Sequence, residues 1–101
     1  MEFTSSTTPE GIVACLTGRL EFTDHDRLRD IVALLNEPGL RTFVIDLANL
    51  EFIDSAGIGM LLILLEEAEQ RNIRFMVRGA RDTVKRSLDL AKIGEILTLE
   101  N

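Results

Sequence analysis

Leu47-Ala48-Asn49-Leu50-Glu51-Phe52-Ile53-Asp54-Ser55-Ala56-Gly57-Ile58-Gly59-Met60-Leu61-Leu62-Ile63-Leu64-Leu65-Glu66-Glu67 is the stretch that decides how this chain is read. A β-branched run ending near Leu47 passes through Asn49–Ile53 into a turn at Asp54–Gly59, and a leucine-rich segment begins at Met60. The pattern is strand, turn, helix. A helix starting at Asp54 or Ser55 puts the Ser55 hydroxyl among the first unpaired backbone N–H groups, in the positive field of the helix N-terminus. A hydroxyl held there either caps the helix or carries a phosphate whose charge the helix end accommodates.

Upstream, Glu2–Thr8 suits an edge strand, Pro9-Glu10-Gly11 supplies turn chemistry, and the apolar run Ile12–Thr17 completes a hairpin. Thr23 with Asp26 three residues on reads as a short capping box that opens a helix. Leu28, Ile31, Val32 and Leu35 form its apolar stripe, and Asn36-Glu37-Pro38-Gly39 stops it. Leu40 to Leu47 is a third strand, continuous enough to be covered on both faces except at Asp46. Downstream, the second helix runs to about Gln70 and Ile73–Val77 is a fourth strand. Asp82 opens a third helix aligned on Val84, Leu88 and Ala91, with Gly94 as its stop, and Ile96–Leu99 is a fifth short strand or a tail. The expected architecture is a single domain over residues 1–101, of class α/β. It has a mixed sheet of four to five strands with three to four helices packed mainly on one face, the parallel strands joined by right-handed crossovers.

A chain of 101 residues suffices for one core and is too short for two. The formal net charge of -6 argues against nucleic acid or an anionic membrane surface as the main partner and favours a protein with a basic face. Met1–Thr8 has no basic region followed by an apolar run, as a signal peptide would, and the apolar run Ile58–Leu65 is too short to span a bilayer, so the expected location is the cytoplasm, without membrane insertion. Cys15, the only cysteine, excludes an internal disulfide and reads as a core side chain among Ile12, Val13, Ala14 and Leu16. His25 is the only histidine and no G-x-S-x-G elbow is present, so the sequence offers no hydrolytic pair. It offers no metal site or cofactor either, since Asp24-His25-Asp26 project from different faces.

In the second helix, Ile58, Leu61, Leu62, Leu65 and Ala68 satisfy an inward stripe, which leaves Met60, Ile63 and Leu64 over. Either the helix is wrapped on two sides or part of it faces a partner, with Met60 as a natural contact beside Ser55. Gly57 and Gly59 each cost about 1 kcal/mol of helix propensity. The return is close approach, of a neighbouring strand or of a second protein's backbone.

Leu50-Glu51-Phe52-Ile53-Asp54-Ser55-Ala56-Gly57-Ile58-Gly59 resembles the signature of STAS domains of the anti-sigma factor antagonist family, apolar residues followed by D-S-[SAT]-G-[LI]-G. The likeness extends to Leu16-Thr17-Gly18-Arg19-Leu20 (the family's L-x-G-x-L-D segment), Phe43–Leu47 (its third strand), Val84–Leu88 (its late helix) and Ile93-Gly94. It implies a STAS fold and a non-enzymatic partner switch. In that switch the serine after the Asp, here Ser55, is phosphorylated by an anti-sigma factor that is also a serine kinase of the ATPase-kinase fold. The unphosphorylated form binds that partner, phosphorylation breaks the complex, and a serine phosphatase restores it. The implied partner-binding residues are Glu21, Asp24, Asp54, Ser55, Ala56, Gly57, Ile58, Gly59 and Met60, with Glu21 or Asp24 standing where the family has an acid after Gly-x-Leu. The alternative is a constitutive STAS scaffold in a transport or other regulatory assembly, with Ser55 never phosphorylated.

Overall fold

The computed structural model describes residues 1–9 and 11–100; Glu10, within the expected Pro9–Gly11 turn, lies outside the described residues, as does Asn101. Strand β1 (Glu2–Thr8) runs antiparallel to β2 (Gly11–Leu20), and β2 is parallel to β3 (Thr42–Ile53). Strand β4 (Arg74–Arg78) is parallel to β3, and the short β5 (Thr98–Glu100) to β4, so the strands lie in chain order β1-β2-β3-β4-β5. Helices α1 (His25–Leu34), α2 (Ser55–Gln70) and α3 (Asp82–Leu90) make the three parallel crossovers. Because each crossover steps to the next strand in the same direction, one handedness puts all three helices on one face of the sheet.

Burial follows that arrangement. Ala14 and Leu16 of β2, Phe43, Ile45 and Leu47 of β3, and Phe75 and Val77 of β4 turn inward. They meet Leu28 and Ile31 of α1, Met60, Leu61, Leu64 and Ala68 of α2, and Val84 and Leu88 of α3 in one core. The Phe43 and Phe75 rings stack with centroids 6.2 Å apart, a cross-strand pair at matched register. On the other face Asp46 pairs with Arg78 (Oδ2 to Nε, 3.0 Å), so the residue that interrupts the apolar pattern of β3 is the one that faces away from the helices. Asp46 Oδ1 also accepts the Ala48 N–H at 2.9 Å.

Several expectations need correction. Strand β3 does not end near Leu47 but continues to Ile53, because bulges in β3, between Asp46 and Asn49 and between Leu50 and Phe52, keep the two strands paired as far as Leu20 and Ile53. Cys15 is only half buried, since alternation along β2 turns it to the helix-free face. Helix α1 begins at His25, and the acid that organises its entry is Asp24, not Asp26. The third helix ends at Leu90, and Lys92 (φ 56°), rather than Gly94, takes the left-handed position that stops it. The inward stripe of α2 is Gly57, Met60, Leu61, Leu64 and Ala68, rotated from the expected set, with Ile58, Leu62 and Leu65 only partly buried and Ile63 exposed.

Asp24 is the one charged residue buried among the described residues. Its Oδ1 accepts the Met1 ammonium at 2.8 Å and its Oδ2 the Glu21 N–H at 2.8 Å, which closes the 3₁₀ turn Phe22–Asp24 ahead of α1. Burial disfavours the carboxylate, but the ammonium and the backbone N–H outweigh it, and Asp24 is held below the usual carboxylate range. A folded-state value lower than the unfolded one stabilises the protein above the unfolded value, and the contribution is lost as pH falls through the folded value. Replacing Asp24 by Asn should therefore cost roughly 2–4 kcal/mol near neutrality. In urea melts the gap between wild type and D24N should hold steady down to about pH 5 and narrow as the pH falls below about 4. A gap independent of pH contradicts this role.

Candidate functional site at the entry to the central helix

Strands β2 and β3 end side by side, with Leu20 paired to Ile53, so the residues that leave them are forced together: Glu21-Phe22 from one strand, Asp54-Ser55 from the other. This is the carboxyl edge of the parallel sheet, where crossover folds leave room for function. The Asp54 N–H donates to the Leu20 carbonyl at 3.2 Å, which ties the two exits.

Asp54, in extended conformation, is the N-cap of α2. Its Oδ1 accepts the Gly57 N–H at 2.7 Å, and its Oδ2 lies 3.4 Å from the Phe22 N–H of the neighbouring turn. One carboxylate thus satisfies a first-turn N–H of the helix and reaches across to the segment beside it. Capping by Asp54 leaves the next residue out of that task. Ser55, the first residue of α2, is exposed, in the field of the helix N-terminus and one position from the capping carboxylate.

The two glycines of the motif have different causes. A Cβ on Gly57 would run into the Leu20 carbonyl and lie 2.7 Å from Ile53 Cγ1, so Gly57 is what lets α2 seat against the ends of β2 and β3. A Cβ on Gly59 would meet nothing within 4 Å. Internal packing therefore does not require Gly59.

Of the residues singled out from sequence, Glu21, Asp54, Ser55, Ala56, Ile58 and Gly59 reach the surface in whole or part and share this corner of the molecule. Three do not. Asp24 is buried in the bonds already described, Gly57 is sealed against Leu20, and Met60 is 3% exposed and belongs to the core. These three are corrected from contact residues to residues that build the platform. Three others were missed. Arg19 donates from Nε to Glu21 Oε1 at 2.9 Å and sits 4.2 Å over the Phe52 ring, and Phe22 is 69% exposed. The signal for Phe22 was its place outside the helical stripe of α1, on a turn too short to bury it.

Away from this corner, the larger clefts are shallow. One of about 440 Å³ lies on the helix-free face between Thr8, Val44 and Arg74, and one of about 410 Å³ beside Leu50 and Arg81. Among the described residues no group of three or more His, Cys, Asp or Glu could hold a metal ion, and no helix is long and apolar enough to cross a membrane.

The family model described as "STAS domain" matches residues 5–101 of this chain. A STAS-domain containing protein of Pseudomonas aeruginosa is 28% identical over 87 residues, covering 83% of this chain and 82% of that protein. Among solved structures, the anti-sigma factor antagonist SpoIIAA in its unphosphorylated form superposes with a TM-score of 0.79 at 22% identity, covering 99% of this chain and 89% of that one. Bacillus SpoIIAA in its phosphorylated form gives 0.70 at 20% identity, covering 99% and 92%. A sulfate transporter family protein from Wolinella succinogenes gives 0.78 at 19% identity, covering 94% and 80%. At these identities the superpositions establish the shared fold.

The asymmetry between the two glycines is measurable. Gly57→Ala should lower stability by roughly 1–3 kcal/mol, because the new methyl meets backbone. Gly59→Ala should raise it by up to about 1 kcal/mol from helix propensity alone. Thermal melts of both variants check this, and equal effects would contradict the assignment.

Proposed function

The chain belongs to the STAS domain family, and on that footing we propose that it is an anti-sigma factor antagonist that works by partner switching, with Ser55 as the phosphorylated residue. In its unphosphorylated form it binds an anti-sigma factor that is also a serine kinase of the ATPase-kinase fold. Phosphorylation of Ser55 releases that partner and a serine phosphatase resets the switch. The chain is the substrate of both enzymes and catalyses neither step.

The observation that carries this reading is that Ser55 is exposed at the N-terminus of the central helix while Asp54 does the capping. The fold does not use the hydroxyl, so its modification is free to act on something else. A phosphate adds about -1.5 to -2 charge near pH 7. Next to the first-turn N–H groups of α2 that charge is tolerated by the domain. It falls instead on a partner seated over Ser55, as like-charge repulsion or as desolvation of the phosphate. Glu21, Asp54, Ala56, Ile58 and Gly59 are the remaining contact residues of this reading. Existence of SpoIIAA in both unphosphorylated and phosphorylated forms supports it.

A second reading is favoured by the likeness to the Wolinella sulfate transporter family protein: a STAS subunit that acts as a permanent scaffold. The two separate on Ser55. Tagged wild type, Ser55→Ala and Ser55→Asp are recovered from extracts of the source cells, and the wild type is weighed intact for an added phosphate. The switch requires a kinase-fold protein with wild type and Ser55→Ala, at least about tenfold less with Ser55→Asp, and a phosphorylated fraction in wild type. Equal recovery by all three and no phosphate would leave the scaffold.

A further inference from the structure

Phe22 is 69% exposed, yet the turn that carries it is held by hydrogen bonds at Glu21, Phe22 and Asp24. The Glu21 N–H before it is bonded to Asp24 Oδ2 at 2.8 Å, and Asp24 is itself locked by the Met1 ammonium. The Asp24 N–H returns to the Glu21 carbonyl at 2.9 Å. The Phe22 N–H itself points at Asp54 Oδ2, the same carboxylate that caps the helix bearing Ser55. The ring's aromatic neighbour is His25, edge-on with centroids 6.1 Å apart, which leaves most of the phenyl surface in water.

A large apolar side chain held in water by a rigid backbone gains the fold nothing, because burial is what a phenyl ring contributes to stability. It is, however, the form that an interface anchor takes: an aromatic whose ordering cost has already been met before binding. The shared Asp54 carboxylate holds the Phe22 backbone beside the N-terminus of α2, so a protein seated over Ser55 is within reach of the turn that carries the ring.

We propose that Phe22 is a specificity-determining anchor for the kinase that modifies Ser55. The ring enters an apolar pocket on that partner, and the pocket is rimmed by cationic groups that face Glu21 and Asp54. This rests on the reading of Ser55 as the phosphorylated residue and adds to it the residue by which the partner is chosen. The ring is not a core residue, so its removal leaves the domain folded.

The test uses the full chain expressed in its source cells as wild type, Phe22→Ala, Phe22→Leu and Ser55→Ala, with the phosphorylated fraction read by intact mass, melting by thermal denaturation and self-association by sedimentation. The proposal requires that wild type be phosphorylated and Ser55→Ala not. It also requires that Phe22→Ala melt within a few degrees of wild type but carry at least about tenfold less phosphate, with Phe22→Leu between the two. Equal phosphorylation of Phe22→Ala and wild type overturns the anchor and leaves the Ser55 switch standing. No phosphate on wild type overturns both. A wild-type dimer that Phe22→Ala abolishes assigns the ring to a second copy of the chain and also overturns the proposal.

Discussion

The structure turns on the Asp54 carboxylate. It stands where two adjacent parallel strands end, and each of its oxygens has a different neighbour: Gly57 in the first turn of α2 and Phe22 in the turn beyond β2. Without it the helix would start with an unsatisfied first-turn N–H, and the two strand exits would be joined only by the bond from the Asp54 N–H to Leu20. With it, the helix start is complete before the chain reaches Ser55. The exposure of that serine is therefore a consequence of its neighbour's chemistry.

The platform behind this corner is built by residues that never reach the surface. Gly57 lets the helix lie against Leu20 and Ile53, Met60 fills the space under it, and Asp24 closes the turn that carries Glu21 and Phe22. Each resembles a contact residue when the chain is read in one dimension, because each lies within a few positions of one. The core therefore holds the corner still while its polar and small residues face water. On the reading proposed above, that division leaves a change of charge at Ser55 to act on the docked partner rather than on the sheet.

Much of this was legible in the sequence. The succession of elements along the chain, the three crossover helices and the start of α2 follow from apolar periodicity and from the punctuation of glycine, proline and capping acids. What was not legible depends on contacts between distant segments. The rotation of the buried stripe of α2 is set by where the helix meets Leu20 and Ile53, and a segment as uniformly apolar as Ile58–Leu65 carries little phase information of its own. The extension of β3 to Ile53 depends on bulges in β3 that keep it in step with β2. The burial of Asp24 depends on Met1, 23 residues away in sequence. Within the corner, Asp54 and Ser55 were visible as a pair, but which of them caps the helix is settled by the reach of a carboxylate to Gly57. Phe22 was harder to read, because its one mark in the sequence is a place outside the helical stripe of α1, and exposure on a short turn is decided by what packs over it.

The most direct measurement is the unfolding free energy of Ser55→Glu beside Asp54→Ala and wild type. A permanent negative charge at residue 55, at a helix N-terminus already capped by its neighbour, should leave stability within about 1 kcal/mol of wild type. Loss of the cap in Asp54→Ala should cost about 1–2 kcal/mol. If Ser55→Glu were instead as destabilised as Asp54→Ala, or more so, the domain itself would be paying for the charge, and a switch that acts only on the partner would be contradicted.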